Sequence, residues 1–308
     1  MKHLTRMSAF QRILVIGATG AQGGSVARHL LRAGSYGVRC LTRRPHSTAA
    51  REIADLGGEL VEGDLSDPAS LRAALRGCDG AFGVTNYWEH FEREFEHGRN
   101  FIDALAGSGI QHAVISTLPH AKQLSGGRLA VPHLDTKGRI EEYARGAGLP
   151  ATYIHVAFYY ENFLSYFPPR RQGDGTYVFG FPQGNTPLAA VAAEDVGGIV
   201  AAIFFESFWY RDKVIGVVGD DMRCDDYAEV MHRVLHRPIA YRHVAHDAFA
   251  ALGFPGARDL ADMFEFNRQY IPNRRLDLAK SRELYPEIRP FERWLRGHTP
   301  AFERALAG

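Results

Sequence analysis

The residues best suited to chemistry begin at Gly17-Ala-Thr-Gly20-Ala-Gln-Gly23, directly behind Arg12-Ile-Leu-Val-Ile16. A short apolar run, a glycine turn and then Val26, Leu30 and Leu31 at helical spacing read as strand, turn and helix. In such a turn the first glycine reverses the chain, the second lets backbone approach a pyrophosphate, and the third lets helix pack on strand. The N–H groups at the helix start then face phosphate oxygens. Thr19, Ala21 and Gln22 are expected to line the pyrophosphate beside Gly17, Gly20 and Gly23.

The end of the second strand decides which dinucleotide. An NAD site usually places a carboxylate there, about 20 residues on, to hold the ribose hydroxyls. Here Val38-Arg-Cys-Leu-Thr42 runs into Arg43-Arg44 and offers two guanidiniums instead. A bidentate, charge-assisted bond to a 2′-phosphate contributes roughly 1.5–3 kcal/mol, about 10- to 150-fold in favour of NADP(H). Asp64-Leu65 follows the third strand, where adenine sits in such folds; Asp64 serves there either as an adenine contact or as a loop cap.

Reduction would need a proton as well as a hydride. Dehydrogenases of this general plan use Tyr-x-x-x-Lys on one helix face, with the tyrosine moving the proton. The corresponding stretch reads His133-Leu-Asp-Thr-Lys137, so the lysine is present and the tyrosine is not. Losing a general acid removes about 10²- to 10⁴-fold of rate. His133 is either a proton donor or a hydrogen-bonding residue at a helix start. Ser116-Thr117 ends the fifth strand, where a catalytic serine would lie. His232 and His236 share a helix face at i, i+4, but lack the glutamate and third ligand of a zinc site, and His243 with His246 fares no better; no metal is expected. Phe158, Tyr159, Tyr160, Phe163, Tyr166 and Phe167 are core, pocket wall or both.

These residues need a scaffold of alternating strands and helices. Further strands are expected at 59–62, 80–84, 113–116 and 151–156, with helices at 68–75 (capped by Asp67), 91–105 and 135–147. That rhythm specifies an α/β fold: a doubly wound parallel Rossmann sheet, with residues 1–157 as the NADP(H)-binding domain. After Phe158, Pro168, Pro169, Gly173, Gly175 and Pro182 break the chain. Residues 158–308 are expected to form a smaller C-terminal α/β region, with 186–220 returning to the main sheet through an apolar helix at 194–205 and a strand at 214–218. A helix capped by Asp225-Asp226 runs to Leu235, and 246–266 is helical in two pieces.

Composition narrows the classes. The 308 residues carry a formal net charge of +1 and are 45% hydrophobic, so no basic nucleic-acid face is evident and the apolar content suffices for a core. Three cysteines in no CxxC pair suggest neither disulfide framework nor zinc knuckle. The apolar run at 13–16 is too short to span a membrane, so a cytoplasmic protein is expected.

The chain also resembles the NmrA-like family of atypical short-chain dehydrogenase/reductases, nearest its animal NADPH-sensing members. The GxxGxxG spacing fits that branch. The resemblance is carried by Gly17-Ala-Thr-Gly-Ala-Gln-Gly-Gly-Ser-Val-Ala-Arg28, Val84-Thr-Asn-Tyr-Trp-Glu89, Gly127-Arg-Leu-Ala130, residues 133–138 and Tyr160-Glu-Asn162. Leu252-Gly-Phe-Pro-Gly-Ala-Arg-Asp-Leu-Ala261 is the most specific stretch. It implies that Thr85, Asn86 and Tyr87 contact the ribose and nicotinamide half, and that Lys137 reaches the nicotinamide ribose. It implies that Tyr159, Tyr160, Glu161 and Asn162 close over the nicotinamide, and that Arg43 holds the 2′-phosphate. The function implied is an NADP(H)-binding redox sensor without dehydrogenase activity, acting through a regulatory protein partner in cytoplasm and nucleus. A homodimer is compatible with it; direct nucleic-acid or membrane binding is not part of it. The alternative is an NADPH-dependent reductase of a small carbonyl or enone, using Lys137 with His133. Residues 90–96, 224–242 and the tail from Asp277 match the family poorly, so partner surfaces there do not carry over.

Overall fold

Arg12–Ile16 (β1) is apolar on both faces after its first residue, as a strand covered by helices on both sides must be. It pairs in parallel with Gly37–Thr42 (β2) and Gly80–Val84 (β4). Glu59–Glu62 (β3) pairs in parallel with β2, and His112–Thr117 (β5) with β4. With Ala151–Val156 (β6), and a last strand at Val214–Val217, seven strands form one sheet. Four short strands, Phe158–Tyr159 (β7), Arg170–Arg171 (β8), Tyr177–Phe181 (β9) and Leu188–Val191 (β10), intervene, so that last strand is β11. The order is β3-β2-β1-β4-β5-β6-β11, the doubly wound arrangement expected. The chain reverses direction across the sheet between β1 and β4, beside the glycine turn.

The computed structural model describes residues 10–307. The described residues divide into two units, 10–117 with 139–154 and 196–215, and 118–138 with 155–195 and 216–307.

In the first unit the helices Ala21–Ala33 (α1), Thr48–Asp55 (α2), Pro68–Leu75 (α3), Tyr87–His90 (α4) and Glu94–Ala106 (α5) connect successive strands. Asp67 caps α3 through Ala69 N–H with Pro68 at the first helical position, as the sequence predicts. The helix expected at 91–105 starts three residues later, at Glu94. Phe91 takes φ 43°, so α4 stops, a 3₁₀ turn spans Phe91–Arg93 and α5 starts at Glu94. Tyr87, Trp88 and Phe91 pack edge to face, with centroids 5.3, 5.5 and 6.4 Å apart, which offsets the backbone cost.

Leu14, Ile16, Leu71, Phe101, Ile102 and Tyr153 form this unit's core. After Ala121–Leu124 (α6), Pro132–Gly146 (α7) and Asn162–Ser165 (α8), the helix Val196–Phe205 (α9) returns to pack on α1. There Gly197 N–H donates to Ser25 Oγ at 2.9 Å, and a Cβ on Gly197 would lie 2.3 Å from Ser25 O. The helix α7 starts three residues before the expected Asp135. Pro132 opens it, and Asp135 reaches back to Val131 N–H and Lys122 N–H.

The second unit holds two three-stranded sheets. With Asp220–Met222 (β12) and Ile239–His243 (β13) introduced, their orders are β12-β10-β7 and β13-β9-β8. Helices Ser207–Tyr210 (α10, in the first unit), Cys224–Leu235 (α11), His246–Ala250 (α12), Ala257–Tyr270 (α13), Arg275–Leu284 (α14) and Phe291–Ala307 (α15) complete the chain. Aromatics dominate the core: Phe181 stacks on Phe264 at 4.6 Å, and Tyr160 and Phe291 pack against Trp294. Two local readings need correction. Asp226 sits in the third helical position and accepts from Arg223 N–H, so Arg223 and not Asp225-Asp226 is the cap of α11. His236 lies past the helix end with φ 51°, so it shares no helix face with His232, whose Nδ1 meets Arg237 O. The three cysteines are buried and unpaired.

Candidate functional site

The glycine turn has the geometry its sequence requires. Gly17 has φ 72°, in the region that favours glycine, and its carbonyl accepts Gly20 N–H at 2.9 Å. A Cβ on Gly23 would stand 2.2 Å from Gly17 O and 2.7 Å from Ile16 O, both backbone atoms that no rotamer change can move. The helix α1 therefore lies directly on the end of β1. Thr19, Gly20 and Ala21 are exposed at its start, and Gln22 is half-buried. Gly20 makes no side-chain cap and the first turn carries no acidic residue, so the helix end is electrostatically open to an anion. These features fit a pyrophosphate.

At the end of β2, Arg43 and Arg44 are both exposed. Arg43 Nη2 lies 2.7 Å from Glu89 Oε1, and Nε 3.6 Å from Asp64 Oδ2. Arg44 N–H donates to Thr42 Oγ1 at 3.1 Å. Asp64 accepts from Ser66 N–H at 2.7 Å and from Ser66 Oγ at 2.5 Å, so it does cap its loop. Partial burial pushes the Asp64 carboxyl up, but the Ser66 bonds and the Arg43 guanidinium outweigh this and hold it below the usual carboxylate range.

Leu65, Thr85 and Ser116 line one small cavity with Gly83, Val84 and Phe101, at the carboxyl ends of β3, β4 and β5. Thr85 Oγ1 donates to Glu94 Oε1 at 2.7 Å, and Glu94 is fully buried. Asn86 is exposed and donates to Glu89 Oε2 at 3.3 Å; Tyr87 sits in the aromatic group with Trp88 and Phe91. Thr117 Oγ1 donates to Glu141 Oε2 at 2.8 Å. The structure thus brings Gly17, Thr19, Gly20, Ala21, Gln22, Gly23, Arg43, Arg44, Asp64, Leu65, Thr85, Asn86 and Tyr87 into one unit, on the edge where ligands bind such sheets.

Lys137, His133, Tyr159, Tyr160, Glu161 and Asn162 belong to the second unit. His133 and Lys137 stand one helical turn apart on α7, at i, i+4 on one face. His133 is buried, and both its N–H and its Nδ1 are bonded to Asp259 of α13, the backbone bond at 3.1 Å. Tyr160 is fully buried against Phe291 and Trp294, with its N–H on Val191 O. Glu161 accepts Ala193 N–H at 3.1 Å, and burial holds its carboxyl above the usual range. Tyr159 and Asn162 are half-buried.

Sequence reasoning missed Glu89, Glu94 and Asp259 as site residues. Glu89 had a signal, because Asn86-Tyr-Trp-Glu89 has the spacing of a capping box. Glu94 and Asp259 had none, since only the folded chain shows that a carboxylate is buried against a hydroxyl or an imidazole. Among the described residues no three metal-binding side chains converge, and no helix is long and apolar enough to cross a membrane.

The sequence profile of the NmrA-like family matches residues 10–295. The NmrA-like family domain-containing oxidoreductase FrzB of a Cladobotryum species is 32% identical over 284 residues, covering 83% of each chain. The crystal structure of NmrA, a negative transcriptional regulator, in complex with NADP superposes with a TM-score of 0.81 at 23% identity, covering 96% of this chain and 97% of that one. The triphenylmethane reductase of Citrobacter sp. complexed with NADP(H) superposes with a TM-score of 0.73 at 18% identity, covering 96% and 100%.

Proposed function

The chain belongs to the NmrA-like family, and on that premise we propose that it binds NADP(H) and acts as a redox-responsive regulatory protein. The observation that carries the binding is the turn in which Gly17 is left-handed and Gly23 leaves no room for a Cβ. Gly17, Thr19, Gly20, Ala21, Gln22 and Gly23 hold the pyrophosphate. Arg43 and Arg44 hold the 2′-phosphate, Asp64 and Leu65 border the adenine, and Thr85, Asn86 and Tyr87 border the ribose and nicotinamide half. Lys137, Tyr159, Glu161 and Asn162 serve the nicotinamide end. The buried ring of Tyr160 anchors that segment rather than touching ligand. NADP(H)-bound NmrA-like folds include both a regulator and a reductase, which supports the cofactor and leaves the output to this chain's own residues.

Two facts support a regulatory output through a protein partner. No tyrosine stands one turn before Lys137, and the histidine that does stand there is held by Asp259. The same pair favours a second reading, because an aspartate on Nδ1 fixes an imidazole in one tautomer, as proton-transferring histidines require. In that reading the chain is an NADPH-dependent reductase of a small carbonyl or enone. NADPH, when bound, supplies the hydride, and His133 with Lys137 supplies the proton to the substrate oxygen. The oxidoreductase naming of FrzB is consistent with it.

Calorimetric titration with NADPH, NADP⁺ and NADH tests the assignment. NADPH should bind roughly 10- to 150-fold more tightly than NADH, and Arg43→Ala should erase most of that gap. Equal affinities would overturn it. A difference between NADPH and NADP⁺ without turnover supports the sensor; NADPH oxidation lost in Lys137→Ala supports the reductase.

A further inference from the structure

The guanidinium at the proposed 2′-phosphate position already holds carboxylates. Arg43 Nη2 is 2.7 Å from Glu89 Oε1, while its Nε faces Asp64 Oδ2 at 3.6 Å. A carboxylate presents to an arginine fork the same paired oxygens as a phosphate, so the two compete for the same donors. Asp64 is tied down by Ser66 and belongs to its loop. Glu89 belongs to no such loop. It comes from the short helix α4, 46 positions along the chain from Arg43, and its other oxygen meets Asn86 Nδ2 at 3.3 Å and His90 Nε2 at 3.9 Å. The helix is presented at this angle because Phe91, at φ 43°, ends it while packing on Tyr87 and Trp88.

We propose that Glu89 is an internal competitor for the 2′-phosphate anchor, so that NADP(H) engages Arg43 only by displacing Glu89, whereas NAD(H) leaves the pair intact. This rests on Arg43 being that anchor. The bond to Arg43 keeps the Glu89 carboxyl below the usual carboxylate range, so it is charged throughout the neutral range. Two effects follow. Glu89 lowers the affinity for 2′-phosphorylated nucleotides alone. And once a dianionic phosphate occupies Arg43, the displaced Glu89 is repelled by it, so α4 shifts with Trp88, which is 37% exposed. The 2′-phosphate thereby produces a local rearrangement that an unphosphorylated ribose does not. That gives a regulatory output a defined origin in the cofactor's phosphate.

The adenine halves alone, 2′,5′-ADP and 5′-AMP, separate this from any nicotinamide effect. In calorimetry on the full chain, Glu89→Gln should bind 2′,5′-ADP and NADPH roughly three- to tenfold more tightly than wild type, the range for removing one exposed charge partner and one repulsion. Binding of 5′-AMP and NADH should stay within about twofold. In an Arg43→Ala background the Glu89→Gln gain should vanish. Tryptophan emission should respond to 2′,5′-ADP and not to 5′-AMP, and Trp88→Phe should remove that response. If Glu89→Gln binds 2′,5′-ADP no more tightly, or tightens 5′-AMP equally, the competitor role is wrong although the anchor stands. If wild type does not distinguish 2′,5′-ADP from 5′-AMP, the anchor is wrong and the competitor with it.

Discussion

Asp259 accepts two hydrogen bonds from a residue 126 positions earlier, one from the backbone N–H of His133 and one from its imidazole Nδ1. All the groups involved are buried. The pair fixes the first turn of α7 to α13 and so sets where Lys137, one turn on, begins. Asp259→Ala leaves a buried N–H and a buried ring nitrogen without their acceptor. It is expected to lower stability by about 2–4 kcal/mol, against about half that for Asp259→Asn, which keeps one acceptor oxygen. Urea unfolding midpoints of the two variants measure this. A loss below about 0.5 kcal/mol in the alanine variant would show that water replaces the carboxylate.

The third glycine makes an equally specific demand. Gly23→Ala puts a methyl 2.2 Å from Gly17 O, and the turn must move to accept it. A stability loss of about 1–3 kcal/mol is expected, with a rise of roughly tenfold in the Kd for NADPH, because the same movement displaces the N–H groups proposed to face the pyrophosphate. Gly24, whose Cβ would meet Ala18 O at 3.1 Å, is the control: Gly24→Ala should cost less on both measures. Unchanged NADPH binding in Gly23→Ala would mean that the turn does not hold the phosphates.

His112 is a specific source of acid sensitivity in the first unit. His112 is buried between Phe10 and Phe204, with Nε2 2.9 Å from Thr152 Oγ1. The Thr152 hydroxyl donates to Tyr210 O at 2.7 Å, so Nε2 must be the donor to Thr152, and the lone pair of Nδ1 is left buried without a donor. Burial, and secondarily Arg211, pulls its pKa from the ordinary 6.5 down to about 4. The unfolded chain therefore takes up this proton below about pH 6.5 and the folded one only below about 4. The contribution is complete above pH 6.5 and is lost as pH falls to 4, by on the order of 3 kcal/mol. His112→Gln, whose amide can donate to Thr152 from the Nε2 position, should flatten the fall in unfolding midpoint between pH 6.5 and 4. An equally steep fall in the variant would assign it to other groups.

Much of the fold was legible because local rules and global structure agree. The glycine turn, the Asp67-Pro68 start of α3 and the β-rich runs each carry a short-range signal, and the seven-stranded order follows from their alternation. What was missed was set by partners far along the chain. Nothing near Phe91 announces a positive φ, because the aromatic packing that sustains it exists only once α4 has formed. The same holds for the proposed site. Arg43 was visible as a cation at a strand end, but its carboxylate partner arrives from α4, and the partner of His133 from α13.

The docking of α9 on α1 has a bearing on how the polypeptide is made. The helix that carries the glycine turn leaves the ribosome well before the segment that covers it, since Gly197, which seals its back through Ser25, is synthesised 172 residues later. One of the sheet's two edge strands, β11, is later still. A nascent chain that ends near residue 157 has its glycine turn but not the apolar helix that covers α1. Until α9 emerges, that face of α1 lacks its cover. The helix behind the glycine turn is thus finished by one of the last segments the first unit receives, and a chain stalled before that point is a natural client for chaperones.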